Sequence, residues 1–358
     1  MSIGASDKPF DVTVVGAGAV GSAVALALAR RGADVTLVEA QPEPGLSASG
    51  TNSGILHTGF DSVPGELETA LILRAAALRD PVLETLGAPV MRCGAVMRGD
   101  GVAQWAANAE CNGVEVRLTG DFVLEVPGEA VTDPVAYTLA LSAAAERHGA
   151  DVRLSTPFEE VEAAGIVVNC AGLYADSVAR SFGDDSFSIY PRKGEFLVFD
   201  PPEPLERILL PLPTKRTKGV LVFPTVDGHV VAGPTAVDGE DKEDWSVRPE
   251  ARDELLPKAV AMWPALEGCE PVAAYAGLRP AGRGGANYVI GRSGVAPERL
   301  VNVAAIRSTG LTASLGIAEH VCEIVLGTPL PEPEPLRATD APVVSGPWWR
   351  RTAEVHTA

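Results

Sequence analysis

The chain has 358 residues, 46% of them hydrophobic, with a mean hydropathy of +0.14, enough for two domains or one elaborated α/β unit. Its 47 acidic against 29 basic residues leave a formal charge of −18, which argues against nucleic acid or an anionic membrane as a general partner. Cys93, Cys111, Cys170, Cys269 and Cys322 form no CxxC pair and no ligand spacing, so no zinc or iron–sulfur motif, no other metal site and no disulfide framework is expected.

No basic region followed by a signal-length apolar segment opens the chain, and no stretch reaches the roughly 18 apolar residues of a membrane helix. A cytoplasmic location is expected. The first apolar run, Asp11-Val-Thr-Val-Val15, leads into Gly16-Ala-Gly18-Ala-Val-Gly21 and an Ala-rich helix from about Val20 to Arg31, stopped by Gly32. A second run from Val35 to Val38 is closed by Glu39. In one βαβ unit, Gly16 allows the tight turn, Gly18 the approach of a pyrophosphate, and Gly21 the packing of helix on strand. The N-terminus of that helix favours negative charge, and Glu39 stands where a carboxylate accepts bonds from ribose hydroxyls. The unit in register predicts a dinucleotide site, with Gly16, Gly18, Ala19, Val20, Gly21 and Glu39 against it.

Gln41 to Phe60 is rich in Gly, Ser and Pro and reads as a functional loop. Helical periodicity covers Glu66 to Leu86. Strands are expected over Met91 to Met97 and Val114 to Val126, around a short helix. Asp133-Pro134 opens another helix, ending at His148-Gly149. Ile166 to Gly172 reads as a buried strand and small-residue turn, followed by a helix over Ala175 to Ser181. Strands between Pro and Gly turns are then expected at Phe196–Phe199, Ile208–Leu210, Val220–Phe223 and Val230–Ala232. A helix around Arg252 to Met262 interrupts them, and strands resume at Val272–Gly277 and Tyr288–Ile290. Leu300 to Ala304 and a helix from about Leu311 to Leu326 follow. Past Gly327, Pro329, Pro331, Pro333 and Pro335 predict an irregular tail. Trp348-Trp349-Arg350-Arg351 offers a partner or membrane-surface anchor, with a disordered tail end as the expected reading.

Dinucleotide-domain features thus recur at the start, middle and end of the chain. The expected fold class is α/β, a discontinuous Rossmann-like domain (residues 1–87, 133–185 and 285–327) with an inserted strand-rich α+β substrate domain (88–132 and 186–284) and a tail (328–358). A plain NAD-dependent dehydrogenase is disfavoured by that split.

The motifs Val14 to Gly21, Ser49-Gly-Thr-Asn-Ser-Gly-Ile-Leu-His-Thr-Gly59, Val168-Asn-Cys-Ala-Gly172, Pro191-Arg-Lys-Gly-Glu-Phe196, Pro211-Leu-Pro-Thr-Lys215, Gly233-Pro-Thr235, Ala276-Gly-Leu-Arg-Pro280 and Thr309-Gly-Leu-Thr-Ala-Ser314 together resemble the D-amino-acid-oxidase superfamily of flavin-dependent oxidoreductases. Within it, the chain is most similar to the branch of glycerol-3-phosphate dehydrogenases and L-2-hydroxyglutarate oxidases. The resemblance implies FAD, a two-domain fold and hydride transfer from a small anionic substrate to flavin N5, with oxygen, a quinone or a partner protein as electron acceptor. Two segments, Gly99 to Gly113 and Asp151 to Ala164, look shorter than the family's. The cysteine-bearing extension of the anaerobic glycerol-3-phosphate dehydrogenases is absent.

His57 sits in the loop that the family folds against the isoalloxazine, and an imidazole can take a hydroxyl proton near neutrality. Contact with the flavin alone, or a covalent flavin link, are its other readings. His148, His229, His320 and His356 read as structural or solvated. Arg279 is the candidate clamp for a carboxylate or phosphate, set in an Ala-Gly-Leu-Arg-Pro turn. Arg192 and Lys193, and the cluster Lys215, Arg216 and Lys218, could focus potential on an anion, with Arg283 a weaker candidate; Lys193 is the one paired with Arg279. Thr51, Asn52, Ser53 and Gly54 offer groups to phosphate or flavin. Asn169 to Gly172, with Ala171 and Gly172 closest, end a strand near the cofactor. The family aims the helix opening at Gly310, Leu311 and Thr312 at the flavin pyrimidine, where its dipole stabilises negative charge. The expected activity is oxidation of a 2-hydroxy acid such as L-2-hydroxyglutarate, or of glycerol 3-phosphate. An amino-acid or amine oxidase, and a flavin-binding subunit of a dehydrogenase complex, are the alternatives.

Overall fold

Apolar runs too hydrophobic to face water on either side build the first sheet. The structure, a computed structural model, describes residues 10–357 except 162, 164, 213–218, 339–343 and 345. The sheet runs in the order Val289–Arg292, Leu300–Ala304, Ile166–Asn169, Asp11–Val15, Asp34–Val38, Asp151–Arg153. Every neighbouring pair is parallel except the first. Alternation divides its side chains. Val12, Val14, Leu37, Val168 and Val301 turn to one core, and Val15, Val38, Val167 and Leu300 to another.

Four helices cover the first of those faces: Ala19–Ala29, Leu67–Thr85, Pro134–Arg147 and Gly310–Leu326. Close approach is what small residues provide. A Cβ on Gly316 would lie 2.1 Å from the Leu71 carbonyl oxygen, so the last helix packs nearly backbone to backbone on the Leu67–Thr85 helix. Asp133 caps Pro134–Arg147 by accepting from the Val135 and Ala136 N–H groups at 2.8 and 2.9 Å. The short helix Ala175–Ser181 packs on the opposite face.

A second, nine-stranded sheet carries the long antiparallel pair Ile189–Phe199 and Ala273–Gly282 at one end, with Ala273–Gly282 as its edge strand. Strands Val230–Gly233, Leu221–Pro224, Ile208–Leu210, Ala95–Arg98, Val123–Val126 and Arg117–Thr119 extend it, with Val237–Asp238 alongside Arg192 and Lys193. Helix Ala251–Met262 covers one face. A three-stranded sheet, Ile55–Leu56, Ala130–Thr132 and Val90–Met91, ties the 41–60 loop to residues 90–91 and 130–132.

Two sequence expectations change here. These two strands run far longer than Phe196–Phe199 and Val272–Gly277, because the apparent breakers sit opposite one another: Pro191 pairs with Pro280, and Gly194 with Gly277. Arg279 therefore stands in a strand and not in a turn. Residues 348–357 are not a disordered end either. Trp348–Thr357 is a helix whose Trp348 and Trp349 are 1% and 2% exposed, because Tyr275 and His229 supply the apolar cover that the tail itself lacks. No helix among the described residues is long and apolar enough to cross a membrane.

Candidate active site and cofactor cleft

The first glycine turn leaves no room for side chains. Gly16 has φ +97°, and a Cβ there would lie 2.7 Å from the Cys170 carbonyl oxygen. On Gly21 a Cβ would lie 1.9 Å from the Gly16 oxygen, and on Gly18 one would lie 2.9 Å from Ser49 Oγ. Ser49 Oγ accepts from the Ala19 N–H at 2.9 Å. Glu39 accepts from the Ala17 and Gln41 N–H groups at 2.7 and 3.0 Å. Burial pushes its carboxyl above the ordinary value, against the pull of those N–H groups.

These residues open onto a cavity of about 440 Å³. Of the sequence candidates, Gly16, Gly18, Val20, Gly21, Glu39, Asn52, Ala171, Gly172, Gly310 and Leu311 line it. Ala19, Thr51, Ser53, Gly54, Thr312, His57, Arg279 and Lys193 are not among its lining residues. Gly54 has φ +76°, and its Cβ position lies 2.3 Å from the Thr132 carbonyl oxygen. Thr51 packs on the second sheet, with its carbonyl oxygen 2.8 Å from the Cβ position of Gly277. Backbone N–H groups at a helix N-terminus, a buried acid beyond the next strand and a second helix N-terminus at Gly310 form the donor and acceptor set of a dinucleotide.

Across the cleft, Ala305 and Arg307 both have φ +55° and Tyr288 has φ +48°. Non-glycine residues in this region are uncommon and concentrate at functional sites. Buried Glu68 holds the turn in place: it accepts from Thr309 Oγ1 at 2.8 Å and Asn287 Nδ2 at 3.0 Å, and it pairs with Arg307. Sequence reasoning missed Glu68, which lies in an ordinary helical pattern.

His57 is fixed from three sides. Its N–H donates to Thr312 Oγ1 at 3.2 Å, and Thr312 Oγ1 in turn donates to the Ile55 carbonyl at 3.1 Å. Arg79 Nη1 donates to the Leu56 and His57 carbonyls. The ring Nδ1 lies 2.9 Å from Glu129 Oε2. Glu129 is fully buried, and its other oxygen accepts from the Thr58 N–H at 2.6 Å and Thr58 Oγ1 at 2.9 Å. Burial by itself would raise this carboxyl, but His57 and the Thr58 N–H outweigh it and hold the group below its ordinary value. An ionised carboxylate only accepts, so Nδ1 carries a ring proton, and in the neutral ring the lone pair is then on Nε2. Glu129 escaped the sequence reading. Its only signal is an acid in the Pro127-Gly128-Glu129 turn ahead of an apolar strand.

Arg279 lies across Gly194, whose Cβ position is 2.9 Å from Nη2. Nε donates to the Arg192 carbonyl at 3.0 Å, and Nη2 to the Lys193 and Thr235 carbonyls at 2.9 and 2.8 Å. Burial, with Arg192 adding to it, lowers its pKa to about 10, so it stays cationic at neutral pH. Nη1 makes no hydrogen bond among the described residues. The loop of His57 and the strand of Arg279 meet at the Thr51–Gly277 contact.

The expected pairing of Lys193 with Arg279 does not form. Lys193 stands opposite Leu278, and Arg279 opposite Arg192, so the two cations point to opposite faces of the strand pair. Lys193 Nζ donates to Asp244 Oδ2 at 2.6 Å and to the Ser246 carbonyl at 2.9 Å. Arg192 is taken by Asp238 and Tyr190, and Arg283 by Glu240. Lys215, Arg216 and Lys218 lie outside the described residues. Among the described residues no cluster of His, Cys, Asp and Glu could hold a metal ion.

The chain matches the DAO family, described as FAD dependent oxidoreductase, over residues 11–324. It belongs to that family. Its cofactor is FAD, and the glycine cradle, Glu39 and the two helix N-termini fit the group. A glycerol 3-phosphate dehydrogenase of Caloramator mitchellensis is 27% identical over 355 residues, which cover 88% of this chain and 74% of that protein. A mitochondrial L-2-hydroxyglutarate dehydrogenase of Arabidopsis thaliana is 26% identical over 397 residues, covering 87% and 82%. The dithionite-reduced L-alpha-glycerophosphate oxidase of Mycoplasma pneumoniae, solved with FAD bound, superposes with a TM-score of 0.83. That match covers 94% of this chain and 100% of the other at 22% identity, and it shows a shared fold. This protein is therefore an FAD-dependent oxidoreductase of the DAO family.

Proposed function

We propose that the protein oxidises a secondary alcohol on a small anion, either glycerol 3-phosphate or a 2-hydroxy acid such as L-2-hydroxyglutarate. The observation that carries this reading is the His57–Glu129 pair. A neutral amine needs no strong base, whereas an alcohol must lose its hydroxyl proton as the carbon is oxidised. FAD, when bound, supplies the acceptor for the electron pair leaving that carbon. His57 Nε2 takes the hydroxyl proton, and Glu129 holds the ring in the receptive tautomer and balances the imidazolium that results. Arg279 holds the anionic end through Nη1, its other N–H groups being anchored to backbone carbonyls. The names of the relatives, for glycerol 3-phosphate and L-2-hydroxyglutarate, support the same substrate class.

The test is His57→Asn in the flavin-loaded enzyme, assayed for anaerobic flavin reduction. The proposal expects FAD to stay bound while reduction by the hydroxy substrate slows by about 10²–10⁴-fold. Undiminished reduction by a hydroxy acid, or turnover of amino acids alone, would reject it.

A further inference from the structure

The helix Trp348–Thr357 touches both halves of the molecule. On the substrate side, Trp348 meets Tyr275 edge-on with ring centroids 5.3 Å apart. Trp349 meets His229 at 4.9 Å and donates its indole N–H to Asp227 at 3.3 Å. On the nucleotide side, Arg351 pairs with Glu43. Arg351 and Val355 border a crevice with Gly45, Leu46 and Gly50. The His356 ring lies flat on Trp245 at 4.0 Å and 11°.

The segment held in this way is a wall of the cofactor cleft. Gly45 to Ser49 all line the cavity. The loop folds on itself through the Gly50 N–H and the Gly45 carbonyl, 2.8 Å apart. It also carries Ser49 to the Ala19 N–H beside Gly18. Among the described residues, none of the terminal helix lines the cavity itself. A loop of glycine, serine and alanine has much conformational freedom to lose when a ligand orders it. A bracket that orders it beforehand removes that cost from the binding step.

We propose that the C-terminal helix is a clasp: it positions the Gly45–Gly50 loop and thereby sets how tightly the protein retains FAD. Its residues are positioning residues, since they reach the cofactor only through the loop. Coupling of this kind is reciprocal, so bound FAD must hold the helix down by the factor with which the helix holds FAD.

Two measurements on the full chain test this. The first is the FAD dissociation constant of flavin-depleted protein, read by quenching of flavin fluorescence, for the wild type and for Arg351→Ala/Val355→Ser. The clasp predicts at least about a tenfold weaker constant for the double variant, with the apoprotein melting temperature within about 2 °C of the wild type. The second needs no substitution: amide exchange over 348–357 in the wild type, with and without FAD, is expected to slow on flavin binding. A dissociation constant within about twofold of the wild type, or exchange in the helix indifferent to FAD, overturns the proposal. A loss of melting temperature equal in apo and loaded protein, with FAD affinity unchanged, assigns the helix a purely structural role and overturns it too.

Discussion

Replacing Glu129 by glutamine keeps the shape of the side chain and inverts the hydrogen-bonding logic of His57. The carbonyl oxygen of the glutamine can still accept from the Thr58 N–H and Oγ1, now 2.6 and 2.9 Å from Glu129 Oε1. Its NH₂ then faces His57 Nδ1, where Oε2 sits at 2.9 Å. A donor there asks Nδ1 to accept, which moves the ring proton to Nε2 and removes the lone pair that takes the substrate proton. The fold should survive, with a stability loss of about 1–3 kcal/mol from one altered buried contact. Catalysis should not. A positioned base contributes about 10²–10⁴-fold, or about 2.7–5.4 kcal/mol of barrier. The assay is anaerobic stopped-flow reduction of the bound flavin, with flavin content and melting temperature measured on the same preparation. Reduction within about threefold of the wild type, in a variant that holds its FAD, would refute the assignment of Nε2 as the base.

Arg279→Lys should raise KM for the anionic substrate about 10–100-fold, since one ammonium cannot bond three backbone carbonyls and an anion together; an unchanged KM in steady-state assays takes Arg279 out of the anion site. Lys193→Met should leave KM within about threefold and cost about 1–2 kcal/mol of stability by denaturant titration, because its ammonium serves Asp244 and Ser246 on the other face; a large rise in KM contradicts that placement. Gly16→Ala should lower stability by about 2–5 kcal/mol through its φ of +97° and the nearby Cys170 oxygen, and should yield protein with little flavin absorbance; a normal flavin spectrum counts against the cradle. Glu195 is fully buried, and although burial alone would raise its carboxyl, Arg248 and Thr235 hold it below its ordinary value. Its contribution to stability is therefore complete above that ordinary value and lost as pH falls through the folded one. Glu195→Gln should flatten the acid limb of melting temperature against pH, and an unaltered limb would reject the coupling.

Local periodicity made the nucleotide half of the fold legible. The strands Asp11–Val15, Asp34–Val38, Ile166–Asn169 and Leu300–Ala304 are short apolar runs with glycine turns, and nothing distant has to be known to read them. The long pair Ile189–Phe199 and Ala273–Gly282 was not legible, since Pro191, Gly194, Gly277 and Pro280 look like stops until their register puts each opposite another. That same register separates Lys193 from Arg279, a separation invisible while Arg279 reads as part of a turn. Glu129 acquires its place only when the chain returns to His57 after 72 residues. The terminal tryptophans likewise depend on cover from Tyr275 and His229, which no window of the tail contains.

The most direct measurement is the anaerobic visible spectrum of the FAD-loaded protein during separate additions of glycerol 3-phosphate, L-2-hydroxyglutarate and a panel of amino acids. Bleaching of the flavin band by one of the two hydroxy compounds, and by no amino acid, is the predicted result. Bleaching by an amino acid alone, or a flavin band that neither hydroxy compound reduces, would contradict the account.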